Sequence, residues 1–462
     1  MSLISFPYII FLPMVVLINF LLPRQKRYIW LFLAGYFFYL SNDIRYAVGL
    51  LFCTVTTYVA GLLAESGKEV RKKAILVLCI FLNILVLFLF RNFSARLGFV
   101  PVGFSFYMIQ SLGYLIDVYR RRIPAEKNPV RYAVFVSFFP IILSGPIQRG
   151  TGLLQQLREG RDFDYDRAHS GLYYLLWGYL LKLVMSDRLG ALVSFAYDRY
   201  ETMPGAVMLW ATMLYAIQLY CDFAGYSALA IGTGRLLGFD LQENFLQPYF
   251  AGSIKEFWNR WHISLSTWLR DYIYIPLGGN KKGQIRKYLN LMATFLVSGL
   301  WHGAGFNFLI WGGLHGIYQI MGDMLSFSKV EKTRGLICRM AGSFVTFVLV
   351  DFAWIFFRAD SAEQGVFIVQ SIFSRFGFKE MTYYGYYLLG GSRLNLLLLL
   401  MGIVIVFLVD FIHEKKLTVE KLAAKLSIGV RWILYIVLTL LLLFVVVRCY
   451  GQAASTFIYE RF

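Results

Sequence analysis

Long apolar runs separated by short polar connectors organise this chain from end to end. A helix needs about 20 mostly apolar residues to cross a bilayer core about 30 Å thick. Runs of that kind lie at Phe6–Leu22, Ala47–Leu63, Ala74–Phe90, Leu172–Met185, Val207–Cys221, Leu289–Met321, Ala341–Phe357, Leu394–Ile412 and Val430–Val447. Shorter runs, Tyr28–Leu40, Val102–Val118, Tyr132–Ile147 and Ser227–Leu237, contain Gly, Pro or Asp. They predict broken or re-entrant helices, which survive at membrane depth inside protein or beside water. The pattern predicts an all-α polytopic integral membrane protein with about 10–12 membrane segments. A membrane β-barrel would show short alternating segments instead. No internal repeat or interdomain linker interrupts residues 1–462, so a single transmembrane domain is expected.

Composition agrees with the pattern. The chain is 58% hydrophobic, above the roughly 45–50% of soluble domains. Its net charge of +18 raises the question of nucleic acid. The basic residues fall in clusters between apolar runs, such as Lys68, Arg71, Lys72 and Lys73 or Arg120–Arg122. That distribution marks cytoplasmic loops facing anionic lipid, not a nucleic-acid surface. Met1–Phe6 has no basic residue, whereas Arg24, Lys26 and Arg27 follow the first run, so no cleavable signal peptide is expected. The N-terminus is placed outside. Four lysines in His413–Leu426 place that loop inside, and Val430–Val447 then carries residues 450–462 outward. The scattered cysteines and the absence of CxxC pairs predict neither disulfides nor a metal site.

Ionisable groups at membrane depth are the candidate chemistry. His169 and His413 sit at loop edges and read as solvated. His302 lies inside the run Leu289–Met321, in Ser298-Gly-Leu-Trp301-His302-Gly303. The sequence alone leaves it open between a catalytic base and a structural hydrogen bond. His262 falls in Ser253–Tyr274. If this stretch is one helix, Lys255, Asn259, His262, Ser266 and Arg270 share a polar face, and an interfacial helix is the plainer alternative. His315, 13 residues beyond His302, is too distant on a straight helix for one reacting bond, unless Gly312 and Gly313 break it, and reads as a supporting group. Asp222 and Asp351 are buried-charge candidates, and a basic partner is expected for Asp351.

The order of several motifs carries a resemblance. These are Asp222-Phe-Ala-Gly-Tyr-Ser227, Glu256-Phe-Trp-Asn259-Arg-Trp-His262, Trp268-Leu-Arg270-Asp-Tyr-Ile-Tyr274, Leu277-Gly-Gly-Asn280 and the Trp301-His302-Gly303 set. Phe138-Phe-Pro140 through Ser144-Gly-Pro146 also fits. The chain resembles the membrane-bound O-acyltransferase superfamily, and most closely its bacterial branch of alginate-type polysaccharide O-acetyltransferases. The resemblance implies catalysis by His302, with His262 at the upstream polar position. It implies a central tunnel, with Asn259, Trp301, Arg270 and Asp222 as lining or substrate-binding candidates. An acyl thioester, acetyl-CoA, would enter from the cytoplasm of a bacterial inner membrane, with no permanently bound cofactor. A polysaccharide would be acetylated outside with a separate SGNH-type acetyltransferase as partner. The tail Phe457-Ile-Tyr459-Glu-Arg-Phe462 resembles a terminal Phe-x-Tyr-x-x-Phe pattern in which Tyr459 carries the acyl group outward; an aromatic anchor is the alternative. A D-alanyl transferase for teichoic acid and a transporter without chemistry are the competing functions.

Overall fold

A computed structural model describes residues 1–93, 96, 98–325, 335–377, 384 and 393–449. Tyr459 and the whole tail 450–462 lie outside the described residues. The described residues are helical, with no strand among them. The helices are α1 (Phe6–Leu21), α2 (Arg27–Leu40), α3 (Tyr46–Glu65), α4 (Glu69–Asn92), α5 (Phe104–Tyr119), α6 (Pro129–Ser137), α7 (Gly150–Glu159), α8 (Tyr165–Tyr179) and α9 (Asp187–Tyr197). They continue with α10 (Gly205–Leu236), α11 (Ile254–Arg260), α12 (Ile263–Leu269), α13 (Gln284–His302), α14 (Phe306–Met324), α15 (Leu336–Arg358), α16 (Ala362–Ser374), α17 (Arg393–Glu414), α18 (Val419–Ala423) and α19 (Ile428–Cys449).

Five helical stretches are individually long and apolar enough to cross a membrane: Tyr46–Glu65, Glu69–Asn92, Gly205–Leu236, Ile337–Arg358 and Leu397–Glu414. Phe6–Leu21 and Ile428–Leu440 are apolar but shorter. Of the runs expected to break, Tyr132–Ile147 leaves the helix after Ser137, whereas Tyr28–Leu40 and Val102–Val118 fall in the continuous helices α2 and α5, and Ser227–Leu237 continues Val207–Cys221 in the single helix α10. Leu and Phe side chains on α4, such as Leu78, Phe81 and Phe88, stand exposed, which is the surface a lipid-facing helix presents.

The chain forms two compact units. The first comprises Met1–Gly178 with Tyr226–Glu243. Inside it, Tyr8 bonds Thr233 at 2.7 Å, and the Glu126 carboxylate meets Arg131 at 3.1 Å and Arg158 at 2.8 Å. The second unit comprises Tyr179–Gly225 with Asn244–Phe462 and holds both central histidines.

Within the second unit, the run Leu289–Met321 is a helical hairpin and not one continuous span. The break falls at Gly303–Gly305, where Gly303 is extended and its N–H still reaches Gly299. Asn307, buried at the start of α14, donates to the carbonyls of Phe356 and Ala359 at 3.2 and 2.8 Å and ties the turn to the end of α15. Gly312 and Gly313 remain helical, contrary to the suspected break there. Gly312 instead lets two helices approach closely. A Cβ there would fall on the Phe295 carbonyl oxygen of α13, just as one on Gly299 would fall on that of Phe308. The two antiparallel backbones meet at these glycines. Gly312→Ala should therefore force α13 and α14 apart, with an overpacking cost of about 1–3 kcal/mol. Thermal unfolding in detergent should show a Tm several degrees lower; an unchanged Tm would mean the hairpin is not this tightly packed.

Candidate active site

Ser253–Tyr274 folds as two short helices with a turn between them, so the single amphipathic helix is corrected. Ser253 caps α11 by accepting from the Glu256 N–H at 3.2 Å, and the Glu256 side chain reaches back past the cap to accept from the Gly252 N–H at 2.8 Å. The helix ends at Arg260, because His262 takes the left-handed conformation, φ 43° and ψ 52°. A non-glycine residue there stores strain, which surrounding bonds must hold. Asn244 supplies them: its carbonyl accepts from the Ile263 N–H at 3.0 Å and its side-chain oxygen from the Ser264 hydroxyl at 2.6 Å. The turn points His262 inward, leaving it 1% exposed, and not along a wet helix face.

His302, on the last turn of α13, is equally enclosed, at 2% exposure. Its ring centroid lies 4.8 Å from Trp301, 4.9 Å from Trp311 and 5.1 Å from Phe357. His262 packs edge-on against Phe223 at 4.5 Å and lies 6.1 Å from Trp301. Trp301 therefore touches both imidazoles, and two histidines 40 residues apart in sequence share one aromatic nest.

A cavity of about 1130 Å³ leads toward this nest. Trp258, Thr294 and Ser298 are its buried lining, Ile263, Phe295 and Lys287 are half-buried, and Lys255, Asn259, Arg270 and Asn280 are its exposed lining. Neither imidazole forms the wall. Ser298 does, one turn before His302 on α13, and so do Asn259 and Ile263 on either side of His262. Asn259 and Arg270 are thus brought to the cavity, whereas His302, His262 and Trp301 are buried outside its lining, close along the chain to lining residues Ser298 and Ile263. Lys287 donates to Asp323 at 2.6 Å, whereas Arg270 is 59% exposed and pairs with its neighbour Asp271 at 2.9 Å. Arg270 opens the π-helical segment Arg270–Tyr274.

Asp222 is placed differently from a lining residue. It is 1% exposed and accepts from Lys182 at 2.7 Å and from the Ser186 hydroxyl at 3.1 Å; Lys182, fully buried, also meets Asp187 at 2.7 Å. Lys182 and Ser186 lie on a π-helical stretch, Leu180–Ser186, a feature frequent at functional sites. The cluster sits behind Phe223, the ring against His262. Asp351 departs from expectation too: its partner among the described residues is the Thr212 hydroxyl at 3.0 Å, not a basic side chain.

Sequence reasoning missed Lys182, although a lysine within the apolar run Leu172–Met185 is the signal it could have used. It also missed Trp311 and Phe357, which carry no signal apart from the fold.

A family model for the membrane-bound O-acyltransferase family matches residues 119–352, which includes both histidines and Lys182. A probable alginate O-acetylase of Pseudomonas putida is 33% identical over 98% of each chain. A peptidoglycan O-acetyltransferase of Helicobacter pylori is 32% identical over 74% of this chain and 73% of its own. A teichoic acid D-alanyltransferase of Streptococcus thermophilus is 28% identical over 55% of this chain and 68% of its own. The chain belongs to the membrane-bound O-acyltransferase family. It is a membrane enzyme that transfers acyl groups, and the transporter reading falls away.

Proposed function

We propose that this protein takes acetyl from a cytosolic thioester, acetyl-CoA, and delivers it across the inner membrane for O-acetylation of an exported or cell-wall polysaccharide. The observation that carries this reading is the cavity with lysine and arginine on its exposed lining and two buried histidines close in the chain to its lining residues Ser298 and Ile263. Basic side chains suit the phosphates of a CoA-type donor. The apolar, aromatic end suits its acyl thioester.

Orientation supports a cytosolic donor. Arg260, at the end of α11, makes a two-point ion pair with Glu414, at 2.6 and 3.2 Å. Glu414 ends α17, directly before Lys415 and Lys416 in the basic loop that the charge rule places inside. The segment bearing Lys255 and Asn259 therefore belongs to the cytoplasmic face. With α19 crossing outward, the tail is extracytoplasmic, as is the N-terminus.

In the transfer, the His302 imidazole takes the proton of the acceptor hydroxyl as its oxygen attacks the thioester carbonyl. The new C–O bond forms, the C–S bond breaks, and the departing thiolate receives the proton from the imidazolium. His262 or Asn259 donates to the carbonyl oxygen as it gains charge. The acceptor at this stage is the Tyr459 phenol, a better leaving group than a sugar hydroxyl for the onward transfer to a partner of the SGNH type. The resemblance of the tail supports that step, and the polysaccharide names of the relatives support the final acceptor.

Mass spectrometry of the purified full chain after incubation with acetyl-CoA tests this. Acetyl on Tyr459 that disappears in His302→Ala is expected. Labelling of Tyr459 at an equal level in His302→Ala, or donor turnover that leaves Tyr459→Phe with undiminished polymer acetylation in cells, would contradict the base or the relay, respectively.

A further inference from the structure

His315 is buried completely and does not itself line the cavity, yet its Nδ1 accepts the indole N–H of Trp258 at 3.2 Å. That bond leaves Nδ1 unprotonated and places the ring proton on Nε2, so the imidazole is neutral and acts as an acceptor. Trp258 is a cavity wall. Its ring lies edge-on to Phe295 at 5.3 Å, and Phe295 lines the same cavity beside Ser298. Trp311, the ring against His302, lies 5.2 Å from His315. One imidazole thus fixes the indole that bounds the cavity and packs against the indole behind the catalytic histidine.

A tryptophan free to rotate would open the buried end to a longer chain. One held by a hydrogen bond keeps that end short. We propose that Trp258, pinned by His315, sets the acyl-length limit of this enzyme and restricts it to very short acyl groups. Trp258 is the specificity-determining wall and His315 its positioning residue. The proposal rests on the reading of the cavity as the thioester donor site. Added methylenes are a discrimination of about 10–200-fold each when a pocket rejects or accepts them cleanly.

The test measures free thiol released from acetyl-CoA and from butyryl-CoA by the purified full chain, and reads the butyryl-to-acetyl rate ratio. Trp258→Ala should raise that ratio about tenfold or more. His315→Leu should raise it in the same direction, and His315→Asn, which keeps an acceptor near the position of Nδ1, should stay close to the wild type. Trp258→Phe, the milder change should the alanine variant not fold, should also raise it. A ratio unchanged in the Trp258 and His315→Leu variants, even with slower acetyl release, would overturn the proposal. So would His315→Asn behaving as His315→Leu. Failure of the donor reading shows separately, as wild-type protein that consumes neither thioester with acceptor and partner present; that result removes both.

Discussion

Replacing His302 with alanine should lower O-acetyl transfer by about 10²–10⁴-fold while leaving the protein folded, the range for loss of a general base. The expectation follows from where the chain puts this residue. His302 ends α13, one turn beyond a cavity-lining serine, and is enclosed by Trp301, Trp311 and Phe357. An imidazole there is shielded from bulk water, so its exchange of a proton with an acceptor hydroxyl does not compete with solvent. Truncation leaves a small space among large rings that otherwise keep their contacts, and folding should survive it. Acetyl content of the cellular polymer, with the variant's abundance in the membrane measured alongside, reads the result. Normal acetylation in His302→Ala at equal abundance would remove the residue from the mechanism.

The second large effect is on stability. Lys182→Met should leave Asp222 buried with its cationic partner gone, a loss of about 3–5 kcal/mol for one half of a buried pair. The Ser186 hydroxyl still donates to Asp222 but cannot neutralise it. Removing both charges, in Lys182→Met with Asp222→Leu, should recover part of the stability, because the fully buried carboxylate is gone and the one left without Lys182, Asp187, is 17% exposed. Thermal melts of the single and double variants in detergent decide this. A single variant as stable as wild type would show that Lys182 and Asp222 are not held as a desolvated pair. If the double variant is stable yet slow, the cluster also orients Phe223 and hence His262.

The fold class was legible because a bilayer imposes one strong rule, about 20 apolar residues per crossing, and the chain obeys it at α3, α4 and α17. What the rule cannot see is where a long apolar run turns back on itself. Leu289–Met321 reads as one span by hydropathy, since Gly303–Gly305 adds almost no polarity, yet it is the hairpin α13–α14. That turn is why His315 lies near His302's aromatic shell, although sequence spacing on a straight helix separates them. Periodicity failed at His262 for a related reason. Spacing of three and four holds through α11 and resumes in α12, but a single left-handed residue between them rotates one set against the other. The bonds from Asn244 that hold the turn come from outside the motif. His302 was singled out from residue type and its place in an apolar run, and His262, Asn259 and Arg270 from the polar face drawn through Ser253–Tyr274 and from the resemblance. Lys182 and Asp222 were one pair of which the sequence offered only half, because pairing between π-helical and helical segments is a tertiary fact. Tyr459 is singled out by the resemblance of the tail alone.

The central claim is that the reacting carbonyl lies against the Ser298 wall of this cavity, within reach of His302. The most direct measurement uses a donor whose acyl group is electrophilic, bromoacetyl-CoA, on the purified full chain, with Cys338→Ser introduced because that thiol lines the cavity and would react first. Attack on the bromomethyl carbon marks whichever nucleophile stands beside the acyl group, and peptide mass spectrometry locates the adduct. The account predicts alkylation of His302, suppressed by excess acetyl-CoA. Adducts only on residues remote from the cavity, with His302 unmodified and no protection by acetyl-CoA, would contradict it.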